Sequence, residues 1–95
     1  MEISAIIPTF NDELIIEKTL IALSRLVNVD EVIIVDGGST DRTTEIIENY
    51  KQQLKRLKLV KLLEHNRGLQ LHEGTRHASG DVFWFIYPDV RPVQG

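Results

Sequence analysis

The segment EVIIVDGGSTDRT, residues 31–43, contains the side chains whose types and spacing most suggest chemistry. A run of apolar residues ends at Asp36, and Gly37, Gly38 and Ser39 follow. A carboxylate at the end of a buried strand could accept hydrogen bonds from a ribose or a base, with the glycines allowing a ligand close to the backbone. The same pattern is typical of a tight strand-to-helix turn. The sequence leaves both interpretations open.

Three further side chains could bind a ligand, and each has an ordinary structural alternative. Phe10 could stack on a nucleobase or close the end of the core. Arg67 could pair with a diphosphate, since a guanidinium matches phosphate oxygens, or lie solvated in a loop. Asp89 could hold a divalent cation through oxygen or belong to a turn. The histidines at 65, 72 and 77 lack the spacing of a metal cluster.

Alternating apolar runs predict the elements that position these residues. Short apolar runs predict strands and amphipathic periodicity predicts helices. Asn11 is a plausible N-cap for the first helix, and Thr40 or Asp41 for the second, whereas Gly74 interrupts the third. The predicted strands are 2–8, 31–36, 58–64 and 81–87, and the predicted helices are 12–27, 42–57 and 69–79.

This order predicts an α/β fold with a parallel four-stranded sheet between helices on both faces, a three-layer α/β/α arrangement. In such sheets, ligands bind outside the carboxyl ends of the strands. The carboxyl ends of the strands form one end of the sheet, which is called the rim below. The residues predicted to lie at the rim are Thr9, Phe10 and Asn11 after strand one, residues 36–41 after strand two, residues 66–68 after strand three, and Asp89 and Arg91 after strand four.

Composition excludes several classes of protein. With 95 residues, the chain can form one small domain. A net charge of -3 gives no basis for charge-driven binding of nucleic acid, and the lack of cysteine excludes disulfides and thiolate metal sites. No signal peptide and no apolar run long enough for an integral membrane segment is visible, so we predict a cytoplasmic location.

Several segments together resemble the start of family 2 glycosyltransferases. They are AIIPTFNDE, EVIIVDGGSTDRT, NRG, GTRHASGD and FWFIYPDVRP, which occur in the order and spacing seen in that family and cover nearly the whole chain. The resemblance implies the Rossmann-like N-terminal half of a GT-A fold, which binds a nucleotide-diphosphate sugar. It also implies Mg²⁺ or Mn²⁺, held partly by a DxD-type motif.

The resemblance also implies roles for residues of the rim. Phe10 would stack on the base beside Thr9, Asp36 would face the nucleoside, Arg67 could reach the diphosphate, and Asp89 would bind the metal. The residues expected to bind the nucleotide sugar are Pro8, Thr9, Phe10, Asn11, Asp36, Gly37, Gly38, Ser39 and Arg67.

The chain departs from the family pattern in two places near this site. Many members carry two acids after strand two, whereas Gly37 stands in the second place here. The DxD region often reads DADD, whereas here it is YPDV, with Tyr87 and Val90 where acids are common.

A full GT-A domain has roughly twice this many residues. We therefore expect residues 1–95 to form one half domain that binds the donor, with the acceptor site and the catalytic base outside it. The corresponding function is sugar transfer from a nucleotide-diphosphate sugar to an unknown acceptor. The alternative is a non-catalytic, truncated or degenerate nucleotide-binding module. In either case the fourth strand would be an apolar sheet edge, which predicts a homo-oligomer.

Overall fold

The computed structural model describes residues 1–26, 28–54 and 56–88. Strands and helices alternate along these residues in the predicted β-α-β-α-β-α-β order. The elements are β1 Ile3–Thr9, α1 Ile16–Ser24, β2 Glu31–Asp36, α2 Thr43–Asn49, β3 Leu57–Lys61, α3 Arg67–His77 and β4 Val82–Phe85.

The four strands form one parallel sheet in the order β3-β2-β1-β4. Strands β1 and β2 lie in the middle, and every residue of β2 is buried. In the register between them, Thr9 lies opposite Asp36. The last residues of both central strands therefore meet at the rim.

Helices cover both faces of the sheet, which confirms the predicted three layers. Ile6 and Ile7 are neighbours on β1, and because strand side chains alternate they point to opposite faces. Ile7 lies in the cluster that includes the buried residues of α1 and α2, whereas Ile6 packs with Leu71 of α3.

The predicted start of the first helix was wrong. Helix α1 begins at Ile16, and its N-cap position, Ile15, makes no side-chain cap. Asn11 has a positive φ of 50°, and the N–H groups of Ile15 and Ile16 both donate to the carbonyl of Asp12. A turn thus stands where the first helical turn was expected. The predicted end at residue 27 was also wrong, because α1 ends at Ser24 and Arg25 occupies its C-cap position.

The prediction that Gly74 interrupts the third helix was also wrong. Helix α3 runs without a break through Gly74, which is buried against the sheet. A Cβ atom added there would lie less than 3.0 Å from Cγ2 of Ile6. The missing side chain therefore allows α3 to approach β1 closely.

A buried carboxylate at the amino ends of the strands, opposite the rim, joins three parts of the fold. The side chain of Glu31 is fully buried, and its Oε2 accepts hydrogen bonds from Oγ of Ser4 at 2.5 Å and from N and Oγ of Ser79. Burial raises the pKa of Glu31, but these hydrogen bonds and the charge of Lys58 outweigh it, so that the net pKa lies below the ordinary 4.5.

Replacement of Glu31 by glutamine is expected to reduce the acid sensitivity of the fold. Because the folded-state pKa is depressed, the ionised carboxylate stabilises the protein above pH 4.5, and this contribution is lost as the pH falls through the folded pKa. Thermal unfolding between pH 7 and pH 3 should show a steeper loss of stability in the wild type than in Glu31→Gln. At pH 7 the variant should be less stable by about 1–3 kcal/mol. Parallel pH profiles would contradict this role.

Strand β4 is an apolar edge of the sheet, as predicted. It pairs with β1 alone among the described strands, and Phe83 and Trp84 are 40% and 46% exposed. An open groove of about 610 Å³ separates part of β4 from α1.

The homo-oligomer stays a prediction. Light scattering should give a solution mass above the 10.9 kDa of one chain, and a monomer at micromolar concentration would contradict it.

Within the described residues, none of the helices combines the length and the apolar character that crossing a membrane requires.

Candidate functional site

The loop after β2 is built around the carboxylate of Asp36, which is 1% exposed. Its Oδ1 accepts hydrogen bonds from the hydroxyls of Thr9 at 2.8 Å and Ser39 at 2.6 Å. Its Oδ2 accepts from the backbone N–H groups of Gly38 at 3.1 Å and Ser39 at 2.7 Å. Gly38 has a φ of +89°, a conformation that favours glycine. Asp36 therefore holds the turn that the glycine makes possible.

Asn11 connects the loops that follow β1 and β2. Its Oδ1 accepts hydrogen bonds from the backbone N–H groups of Thr40 at 2.8 Å and Asp41 at 3.3 Å, and its own N–H donates to Oγ of Ser39 at 2.8 Å. The predicted binding residue thus serves here to fix one rim loop against the other.

Asp41 lies at the start of α2, close to its predicted capping role. Its carboxylate accepts hydrogen bonds from the backbone N–H and the hydroxyl of Thr43, and from the N–H of Glu13. Burial raises the pKa of Asp41, but the hydrogen bonds lower it by more. The net pKa of Asp41 therefore lies below its ordinary value. Arg42 occupies the N-cap position itself, without a side-chain cap.

Phe10 stacks on His65, a residue that follows β3. The two ring centroids are 4.1 Å apart, and the ring planes differ by 4°. The half-buried Phe10 therefore offers a flat aromatic surface at the rim, and the imidazole covers one side of it. Sequence reasoning considered His65 only as a metal ligand and missed this contact.

Gln70 of α3 is a buried polar residue beneath the rim that sequence reasoning also missed. Its Nε2 donates to the backbone carbonyls of Thr9 at 3.0 Å and Val35 at 2.8 Å. The side chain therefore holds the carboxyl ends of β1 and β2 to α3. A sequence signal existed: Gln70 lies four residues before the buried Gly74, which places this polar residue on the face of α3 that packs on the sheet.

Arg67 is the first residue of α3. The guanidinium carbon lies 5.0 Å from the ring centroid of Tyr87, a distance typical of a cation–π contact. Asn66 caps the helix, since its Oδ1 accepts a hydrogen bond from the backbone N–H of Leu69 at 3.0 Å. Arg67 thus lies at the rim, as the sequence predicted, but in the first turn of a helix that was predicted to begin only at residue 69.

These residues surround a small cavity of about 50 Å³. A cavity of this size holds only a few water molecules, so it is smaller than a nucleobase. The cavity is lined by Pro8, Thr9, Phe10, Asp12, His65, Arg67 and Gln70.

The structure thus brings four predicted site residues, Pro8, Thr9, Phe10 and Arg67, to one cavity. The loop of residues 36–39 adjoins it through the bond between Thr9 and Asp36. Of the two remaining predicted site residues, Asn11 joins the rim loops, whereas Asp89 lies outside the described residues, as does Arg91. Within the described ranges, no group of three or more histidines, cysteines or acids could hold a metal ion.

Comparison with known proteins identifies the same family that the sequence motifs resemble. The family model described as glycosyl transferase family 2 matches residues 4–92. TagX of Staphylococcus aureus is 33% identical over 94 residues, which cover 93% of this chain and 26% of TagX.

Solved structures share the fold. A crystal structure of S. aureus TarS in complex with UDP aligns with a TM-score of 0.86 and 32% identity, over 94% of this chain and 28% of that one. The mannosyltransferase PcManGT from Pyrobaculum calidifontis, in complex with GDP-Man and Mn²⁺, aligns with a TM-score of 0.85 and 27% identity, over 93% of this chain and 27% of that one.

The chain spans about a quarter of the length of these relatives. The structural likeness confirms the predicted GT-A arrangement, and the family model covers nearly the whole chain. The chain therefore belongs to glycosyl transferase family 2.

Proposed function

We propose that this chain binds the nucleoside diphosphate part of a nucleotide-diphosphate sugar, and that the protein containing it transfers the sugar to an acceptor. One observation carries the proposal: the cavity at the carboxyl ends of β1 and β2 joins an aromatic surface, Phe10, to a cationic side chain, Arg67. An aromatic ring suits a base and a guanidinium suits a diphosphate. The UDP of the TarS structure and the GDP-Man of the PcManGT structure support the same ligand class.

The chemistry of transfer gives Arg67 a role beyond binding. Negative charge develops on the departing diphosphate, so a positive group placed there stabilises the transition state more than the bound substrate. A divalent ion, Mg²⁺ or Mn²⁺, would supply the same stabilisation when bound. Since the described residues hold no cluster of ligands for it, we propose that Asp89 and the diphosphate oxygens bind the ion. The Mn²⁺ of the PcManGT structure supports the use of a divalent ion.

The acceptor and the catalytic base remain unassigned. An inverting transfer needs a base within hydrogen-bond reach of the acceptor hydroxyl. Asp36 is unsuited to that task because both of its oxygens already accept two hydrogen bonds from the rim loops. The proposal for the described rim is therefore donor binding.

Calorimetry with UDP and GDP, with and without Mn²⁺, tests the proposal. We expect Phe10→Ala to weaken nucleotide binding by roughly 5- to 150-fold, since stacking of a base on an aromatic side chain contributes about 1–3 kcal/mol. Phe83→Ala is the matched control, because Phe83 is an exposed aromatic residue of β4, away from the cavity.

Failure of the wild type to bind either nucleotide would contradict the proposal, as would equal affinities for Phe10→Ala and Phe83→Ala. The metal assignment has a separate test. Asp89→Ala should remove the effect of Mn²⁺ on affinity, and an unchanged Mn²⁺ effect would exclude Asp89 as the ligand.

The exposed β4 edge favours a second candidate, a non-catalytic nucleotide-binding module that oligomerises through this strand. Incubation of the protein that contains this chain with UDP- and GDP-sugars separates the candidates, because turnover is expected of the first one only. Binding of the nucleotide sugar without its turnover, by a protein that is oligomeric in solution, is the result expected of the second one.

A further inference from the structure

Gln70 holds its carboxamide in one orientation. Both hydrogens of Nε2 are used, since this atom donates to the carbonyls of Thr9 and Val35. Rotation of the amide by 180° would place Oε1 against these two carbonyl oxygens, which cannot donate a hydrogen bond. The backbone at the ends of β1 and β2 therefore fixes Oε1 as an acceptor that points away from the strands.

This acceptor has no hydrogen-bond partner. Gln70 is 1% exposed. Over residues 1–26, 28–54 and 56–88, two buried side-chain atoms lack a hydrogen-bond partner, namely Oε1 of Gln70 and Oε1 of Glu31. A buried acceptor without a partner costs about 1–3 kcal/mol, so a ligand donor that reaches it gains affinity. Glu31 lies at the amino ends of the strands, away from the rim. Among the described residues, Oε1 of Gln70 is therefore the buried acceptor at the rim that lacks a partner.

Gly37 and His65 border this oxygen. A Cβ atom added to Gly37 would lie 3.0 Å from Oε1 of Gln70 and 3.1 Å from Cα of His65. The carboxamide oxygen of Gln70 therefore lies beside the space that a side chain at position 37 would fill. Because position 37 is a glycine, this space is left open next to the acceptor.

We propose that Oε1 of Gln70 accepts a hydrogen bond from the ring N–H of a nucleobase seated on Phe10, and so selects uracil or guanine over cytosine or adenine. The proposal rests on the proposed nucleotide binding and specifies which bases are bound. A base that displaces the imidazole of His65 from Phe10 enters the cavity that Gln70 lines.

The chemistry of the bases gives the selectivity its direction. Uracil at N3 and guanine at N1 each carry a ring N–H, whereas cytosine at N3 and adenine at N1 present a lone pair. A lone pair opposite a fixed carbonyl oxygen leaves both acceptors without a donor in a desolvated site. Discrimination against such a base follows from the unpaired buried group.

Calorimetry on the unmodified full chain tests this directly. UDP or GDP should bind at least about tenfold more tightly than CDP and ADP, which corresponds to one unpaired buried acceptor. UDP methylated at N3, which lacks the ring N–H, should lose the advantage of UDP. Equal affinities for all these ligands would overturn the role of Gln70 while leaving nucleotide binding intact. Absence of binding by every nucleotide would overturn both proposals.

Gly37→Ala provides the test on the protein side, because its Cβ would lie 3.0 Å from Oε1 and leave a ligand donor less room to reach this oxygen. Gly37 has no positive φ, so alanine is compatible with its backbone. The ratio of UDP to CDP affinity should fall toward one in Gly37→Ala and stay unchanged in Phe83→Ala, at an exposed residue of β4 that does not line the cavity. An unchanged ratio in folded Gly37→Ala would overturn the proposal. Should Gly37→Ala fail to fold, the methylated nucleotide still decides.

Discussion

Asp36→Ala is expected to lower the free energy of unfolding by about 3–5 kcal/mol. Four donors share this carboxylate: the hydroxyls of Thr9 and Ser39 and the N–H groups of Gly38 and Ser39. Alanine leaves these groups without their acceptor, and the hydroxyl of Thr9 is buried where water cannot replace it. Urea denaturation followed by circular dichroism measures the loss.

Asp36→Asn is the matched control for this variant. Its amide oxygen can accept from the two backbone N–H groups, and its amide nitrogen can donate to the hydroxyl oxygens of Thr9 and Ser39. The asparagine variant should therefore lose less than half as much stability as the alanine variant. An Asp36→Ala protein as stable as the wild type would refute the turn-holding role and favour a carboxylate reserved for the ligand.

Gly74→Ala is expected to destabilise the fold by about 1–3 kcal/mol, although alanine is the better helix former. The new Cβ would lie within 3.0 Å of Cγ2 of Ile6, a fully buried residue of a central strand. Helix α3 would have to move outward, and Arg67 and Gln70 would move with it. Weaker nucleotide binding should therefore accompany the lower stability.

Gly68→Ala shows what the substitution does without the clash. It lies on the same helix, and its added Cβ has no neighbour closer than 3.5 Å. Thermal unfolding should find it as stable as the wild type, or more so. A Gly74→Ala protein with an equally raised melting temperature would show that close packing of α3 on β1 is not what requires glycine there.

The order of the sheet's strands could be predicted from the sequence because short apolar runs mark them, although β3 ends at Lys61 rather than at residue 64 and β4 at Phe85 rather than at residue 87. Strand β2 was predicted at its observed limits, since an apolar run there stands between a charged residue and two glycines. The start of α1 could not be predicted in the same way. Asn11 has the side chain of a cap, but its oxygen bonds instead to the N–H groups of residues 29 and 30 positions away. Such contacts between loops exist only in the folded chain.

The residues of the candidate site likewise differ in how far the sequence predicts them. Phe10 and Arg67 were found because they follow strands whose carboxyl ends must meet. His65 and Gln70 were missed because their roles depend on partners far away in the sequence, such as Thr9, which is 61 positions from Gln70. The hydrogen bonds of Asp36 likewise combine a local turn with a contact between strands, so its pattern alone could not decide between turn and ligand contact.

Nucleotide binding at the rim is tested most directly by a nuclear magnetic resonance titration of the full chain, labelled with ¹⁵N, with UDP and with GDP. We expect one of them to shift backbone amide signals around the rim, in residues 9–12, 36–41 and 65–70, and to leave those of β4 in place. Absence of shifts at saturating nucleotide, or shifts confined to β4 and the facing surface of α1, would contradict it.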